Sequence, residues 1–381
     1  MKTAEYDTKL AAPATANKTA IPVAAPVLAG NERAYVLDVL ESTQLSMGAY
    51  VERFEAAWAR ECSVPYGLSC SNGTAALHLA LLALGVKPGD EVIVPTLTFI
   101  ATANAVTYCG ARPVPVDVDA ATWAISPSAV EAAITPRTVG IIAVHLYGLP
   151  CDMGALQAIA ERHGLWLVED AAQAHGAEYR GQRVGSLSDA ATFSFYGNKI
   201  ITCGEGGMVT TRRADVADKV RLLRGQGMTA QYWHSVIGHN YRLTDLQAAI
   251  GLAQVERLDW HLRRRRAVAM WYRRKLAHAP VTFQAESPDC DSAYWMNTVL
   301  LGGPNSVGVI QRRLQEHGIE TRRVFLPLHR QPPYAIDGRA MWAADVVAAA
   351  GLTLPTSAAL DALHITRVCE ALENALGGPY A

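Results

Sequence analysis

The run LWLVEDAA, residues 165–172, is a short apolar strand that ends in two acids, Glu169 and Asp170, and opens onto two alanines. A carboxylate at the carboxyl end of a parallel strand faces the crevice in which α/β proteins bind ligands. The same acid can instead cap the helix that follows. On both sides of this run, β-rich segments alternate with helical patterns, the signature of an α/β domain around a mainly parallel sheet. Strands are expected at Glu91–Val94, Arg112–Val118, Val139–Leu146, Leu165–Glu169, Ala191–Phe195 and Gly207–Thr211. Helix starts are marked by Ser71-Asn72, by Ser126 followed by Pro127, and by Asp152. Gly85, Gly110 and Gly164 supply the stops. From Thr244 the spacing of Leu246, Ile250, Val255, Leu258 and Leu262 predicts one long helix reaching about Leu276, with the hinge between two domains along it. The expected division is a loose tail at 1–20, a large domain at 21–255 and a smaller C-terminal domain at 256–381, with a helix near Ser306–His317.

A chain of 381 residues fits two domains. With 50% hydrophobic and 18% charged residues, disordered, collagen-like and simple coiled-coil classes are excluded. The balance of 34 Lys+Arg against 35 Asp+Glu offers no general attraction to nucleic acid or to an anionic membrane. No apolar run reaches the roughly 18 residues that span a bilayer, and the first residues lack the pattern of a secretory signal. Seven cysteines without C-x-x-C or zinc-like spacing point to free thiols in a reducing compartment, and the cytoplasm is expected. No histidine spacing suggests a metal site. Arg263–Arg266 with Arg273, Arg274 and Lys275 form a dense basic run, expected as a solvated face or as intersubunit ion pairs.

Three pieces carry chemistry. Asp170 is the strand-end carboxylate. The segment ATFSFYGNK, residues 191–199, is a strand that breaks at Gly197 and presents Lys199 between small and apolar neighbours, where a partly desolvated amine with a lowered pKa can form a Schiff base. The turn SNGTAA, residues 71–76, leads directly into a helix, whose free N–H groups make a phosphate site. An anion anchor, a carboxylate for a ring nitrogen and an imine-forming lysine are together what pyridoxal phosphate asks of a protein.

SNGTAAL, PTLTFIATANAV, HLYGLPCDM, VEDAAQAHGA, TFSFYGNKIITCGEGGMV and HNYRLTDLQAAIG, in this order and at these separations, resemble the DegT/DnrJ/EryC1/StrS family of sugar aminotransferases over about residues 21–381. The resemblance implies a fold-type I pyridoxal phosphate enzyme, with a large mixed seven-stranded sheet domain, a smaller C-terminal α+β domain and a homodimer that shares its active sites. It implies Lys199 as the lysine that holds the cofactor and moves the proton, and Asp170 as the partner of the pyridine nitrogen. Gln173 is implied beside the cofactor's phenolate oxygen, Gly73, Thr74 and Ser194 at its phosphate, and Phe99 on its ring face. Asn240 is implied as a contact to the neighbouring subunit's cofactor phosphate. A lysine at 199, where some relatives have histidine and act as dehydrases, implies transamination. Further words, including RGQGM (224–228), YWM (294–296) and FLPLHRQPPY (325–334), resemble the branch that aminates C4 of GDP-4-keto-6-deoxymannose with L-glutamate. Arg323 stands where that branch leads one to expect proline. The same reaction on a UDP- or dTDP-linked keto sugar is the nearest alternative, and a pyridoxal phosphate-binding regulator without turnover is the alternative from another class.

Overall fold

The computed structural model describes residues 20–302, 307–336, 338 and 340–377. The expected tail, but for Ala20, and the Ser306 start of the expected helix lie outside the described residues.

The large sheet has seven strands: Tyr66–Cys70 (β1), Glu91–Pro95 (β2), Arg112–Val116 (β3), Thr138–Val144 (β4), Trp166–Asp170 (β5), Ala190–Ser194 (β6) and Gly207–Thr211 (β7). Their spatial order is β1-β7-β6-β5-β4-β2-β3. Strands β3, β2, β4, β5 and β6 run parallel, whereas β7 is antiparallel to both of its neighbours, so the sheet is mixed, as expected. Strands β2 and β6 are buried at every residue, and the core divides into an apolar layer on each side of the sheet. A sheet covered on both faces needs the near-continuous apolar runs from which these strands were read.

The helix caps follow the sequence signals. Asn72, Ser126 and Asp152 each accept a hydrogen bond from the backbone N–H three residues on, to Ala75, Ala129 and Ala155. The stop glycines 85, 110 and 164 all have positive φ, the conformation a non-glycine residue adopts at a cost.

Two expectations are corrected. The run from Thr244 is two helices, Asp245–Val255 and Leu258–Lys275, broken at Glu256 and Arg257. A shared apolar spacing carried across the break, which periodicity alone does not register. Strand β1 was not expected. Its sequence YGLSC lacks β-branched residues, and it is held by pairing with β7 and by Gly67, where a Cβ would lie 2.8 Å from the Glu55 carbonyl oxygen.

Beyond the second helix, Val281–Phe283 (β8), Asn297–Leu301 (β9), Arg322–Arg323 (β10) and Gly351–Leu354 (β11) form an antiparallel sheet in the order β8-β9-β11-β10. Helices Val307–Glu316 and Ala362–Leu376 close an apolar cluster of their own on it. Part of the basic run serves packing, while Arg263, Arg274 and Lys275 are exposed, as expected of a solvated face. Arg265 is buried and donates to the carbonyls of Trp295 and Thr356, and Arg264 donates to those of Ala358 and Leu360. These arginines tie the long helix to the small sheet's connections, and only Arg266 of the three reaches an acid, Asp291.

Candidate active site

The carboxyl ends of β5 and β6, the start of helix Gly73–Ala83 and the near edge of the small sheet enclose a cavity of about 660 Å³. Gly73, Thr74, Phe99, Asp170, Gln173, Ser194 and Lys199 all line it. Asn240 does not: it is exposed, bridged to Gly225 and hydrogen bonded to Arg242.

The two acids that end β5 have opposite roles. Glu169 is fully buried and its carboxylate accepts from His145 Nε2, Ser188 Oγ and the N–H groups of Gly185 and Leu187. It is a structural hub. His145 takes a backbone N–H from Cys151 on Nδ1, which places its own proton on Nε2 toward Glu169. Asp170 turns to the cavity. Thr102 Oγ1 donates to its Oδ2 at 2.8 Å and the Ala172 N–H to its Oδ1 at 3.3 Å, yet burial raises its pKa. A buried carboxylate in that condition favours a cation nearby, and a protonated ring nitrogen fits.

Lys199 lies in the turn after β6, with its Nζ 4.1 Å from the centroid of Trp295. Burial lowers its pKa to about 8, against a smaller opposing pull from Asp170. The same Trp295 donates from Nε1 to the carbonyl of Asn198, so one side chain fixes both the turn and the amine. Tyr147 packs on Trp295 at 6.4 Å and on Phe325 at 5.7 Å, and Phe325 meets Phe99 at 5.8 Å, making one aromatic wall.

Gln173 accepts the Tyr147 N–H on Oε1 at 2.8 Å, which orients the amide and leaves its NH₂ as a donor. At the helix start, Asn72 has taken the Ala75 N–H, so the N–H groups of Gly73 and Thr74 have no partner within the helix. They stand beside Ser194, close enough that a Cβ on Gly73 would lie 2.8 Å from the Ser194 Cβ. Such a cradle of two N–H groups and a hydroxyl fits a phosphate. The residues present therefore fit pyridoxal phosphate.

Thr102, Tyr147 and Trp295 set the site's geometry without having been singled out for it. Thr102 lies in the quoted segment PTLTFIATANAV, but its bond to Asp170 crosses the sheet and leaves no local trace. His329 is buried between Thr96 and Asp345 and does not reach the cavity. Arg322, on the strand ahead of it, does line the cavity.

This fold and cavity are those of a pyridoxal phosphate-dependent aminotransferase. The profile of the DegT/DnrJ/EryC1/StrS aminotransferase family matches residues 26–373, and the chain belongs to that family. It is 51% identical to the GDP-perosamine synthase of Caulobacter vibrioides and 44% identical to that of Escherichia coli O157:H7, in each case over 93% of this chain and 98% of the relative. Among solved structures it resembles S. venezuelae DesV, captured with a ketimine intermediate, at a TM-score of 0.88 and 39% identity over 91% of this chain and 94% of that one. It also resembles the PLP form of Spr1654 from Streptococcus pneumoniae, at a TM-score of 0.89 and 28% identity over 93% and 98%.

Proposed function

We propose that the chain transfers the amino group of L-glutamate to C4 of a nucleotide-linked 4-keto-6-deoxyhexose, namely GDP-4-keto-6-deoxy-D-mannose, giving GDP-perosamine. The observation that carries the chemistry is the meeting of Lys199, Asp170 and a free helix start in one cavity. The similarity to GDP-perosamine synthases supports the choice of sugar and base.

When bound, pyridoxal phosphate supplies an electron sink for the carbon that loses its proton and carries the amino group from one substrate to the other. In this reading Gly73, Thr74 and Ser194 hold its phosphate, Gln173 donates to its phenolate oxygen and Phe99 covers its ring. Asp170 keeps the ring nitrogen protonated, and Thr102 and the Ala172 N–H keep that carboxylate aimed. Lys199 anchors the cofactor between turnovers and, once displaced by the substrate's amine, takes a proton on Nζ from one carbon and returns it to the other. With a pKa of about 8 the amine is part free base at neutral pH, as that duty requires. Tyr147, Trp295 and Phe325 keep water from the reacting carbon.

A homodimer in which Asn240 reaches the neighbouring subunit's cofactor phosphate, and a cytoplasmic location, belong to the same reading. Its exposed position outside the chain's own cavity is compatible with that reach. So does the division at residues 255 and 256, supported by the helix break beside it and by an apolar cluster that, but for Ile21, is made of residues beyond it.

The test is turnover of GDP-, UDP- and dTDP-linked 4-keto-6-deoxyhexoses with glutamate as donor. Turnover with the GDP sugar alone, or by far the best with it, is expected; no turnover with it sinks the choice of substrate.

A further inference from the structure

Two anionic substrates enter this cavity in turn. L-Glutamate carries one carboxylate on the reacting carbon and a second at the end of its side chain. A nucleotide-linked 4-keto sugar carries its diphosphate at C1, across the ring from C4. Each substrate therefore presents a negative group a comparable distance beyond the carbon that reacts.

Among the described residues, the charged side chains lining the cavity are Asp170, Lys199, Glu205, Arg322 and Arg323. His78 also lines it, but burial lowers its pKa to about 4 and leaves it uncharged at neutral pH. With Lys199 and the helix start assigned to the cofactor, the cations left for substrate are the two arginines of β10. Their backbone is fixed by pairing with Thr353 and Leu352 of β11, while both side chains are exposed. Arg322 has one acidic neighbour, Glu320 at 3.4 Å, and both side chains are about half exposed, so the pair is weak. Arg323 has no acid within ion-pair distance among the described residues. Two residues further on, Phe325 packs on Tyr147 and ties this strand to the wall that carries Trp295 and Lys199. Guanidinium forks suit carboxylate and phosphate equally well.

We propose that Arg322 and Arg323 form a single anion station that serves both half-reactions, taking first the side-chain carboxylate of glutamate and then the diphosphate of the nucleotide sugar. The inference rests on the donor and acceptor of the proposed function. One station cannot hold both anions at once, so GDP must compete with glutamate for the enzyme in its cofactor-loaded form.

The test uses the holoenzyme and the variants R322Q, R323Q, R322Q/R323Q and R322K/R323K. The glutamate half-reaction is followed by loss of the cofactor's visible band, with L-alanine, which lacks the side-chain carboxylate, as the second donor. GDP binding is measured by calorimetry. In the double Gln variant the half-saturating glutamate concentration is expected to rise about 10- to 100-fold, the GDP dissociation constant to rise by a similar factor, and the alanine reaction to stay as it was. The double Lys variant recovers part of both losses. Weakening of glutamate alone, of GDP alone or of neither overturns the shared station, and so does an equal loss with alanine. A wild-type enzyme that does not respond to glutamate overturns the donor reading itself, and that outcome is read before any variant is made.

Discussion

Gly73 and Ser194 face each other across the carboxyl end of the sheet with no room for a methyl group between them, 2.8 Å being left for a Cβ that needs well over 3 Å. The approach brings the helix N–H groups and the Ser194 hydroxyl onto one point. A Gly73→Ala chain keeps its helix, since alanine is the better helix former, but must push Ser194 or the helix start aside. We expect cofactor affinity to fall about tenfold or more, roughly 1.4 kcal/mol. Titration of the apo protein with pyridoxal phosphate reads this directly, and an unchanged dissociation constant would remove Gly73 from the phosphate site.

The neighbours Glu169 and Asp170 should separate stability from chemistry. Glu169→Gln turns an amide NH₂ toward donors that all require an acceptor, and leaving such groups unmet in the interior costs about 2–4 kcal/mol. The melting temperature should drop by several degrees while the cofactor spectrum of the folded protein is kept.

Asp170→Asn should do the reverse. Burial already works against this charge, so its removal leaves the melting temperature unchanged or higher. The ring nitrogen then loses its anion, and turnover should fall by about 10³-fold, roughly 4 kcal/mol of barrier. A variant within tenfold of wild type would refute the pairing.

The pH dependence follows from Lys199. Its folded pKa is lowered from 10.5 to about 8, so the reactive free amine is lost as pH falls below about 8. Capture of pyridoxal phosphate by the apo protein should accelerate from pH 6 to 9 and then level, with its midpoint near 8. Between about 8 and 10.5 the unfolded chain holds a proton that the native lysine has released, so apo stability should rise with pH across that window. Stopped-flow capture rates and melting curves check the two; a capture midpoint near 10 would mean that the amine is solvated.

How much of this was legible differs by element. Every strand of the large sheet but β1 could be read, because burial on both faces imposes continuous apolar runs. Strand β1 escaped because it is specified by its partner and by the small size of Gly67, both nonlocal facts. Lys199, Asp170 and the turn that holds Gly73 and Thr74 could be read because chemistry restricts residue type at the ends of elements, whereas Gln173, Ser194 and Phe99 came only with the family resemblance; all seven line one cavity. Thr102 and Tyr147 act by aiming other side chains, through contacts that span the fold, and composition gives them no signature. The arginines from 264 to 266 were misread for the same reason: charge in a sequence suggests water, and the carbonyls that meet it here belong to distant segments.

The double hold of Trp295 on Asn198 and on the amine of Lys199 has a consequence in conformational entropy. A free lysine samples many rotamers, and confining one costs up to about 2 kcal/mol. Here the indole confines the turn and the amine when the chain folds, so that ordering is complete before any substrate arrives and need not be repeated at each catalytic cycle.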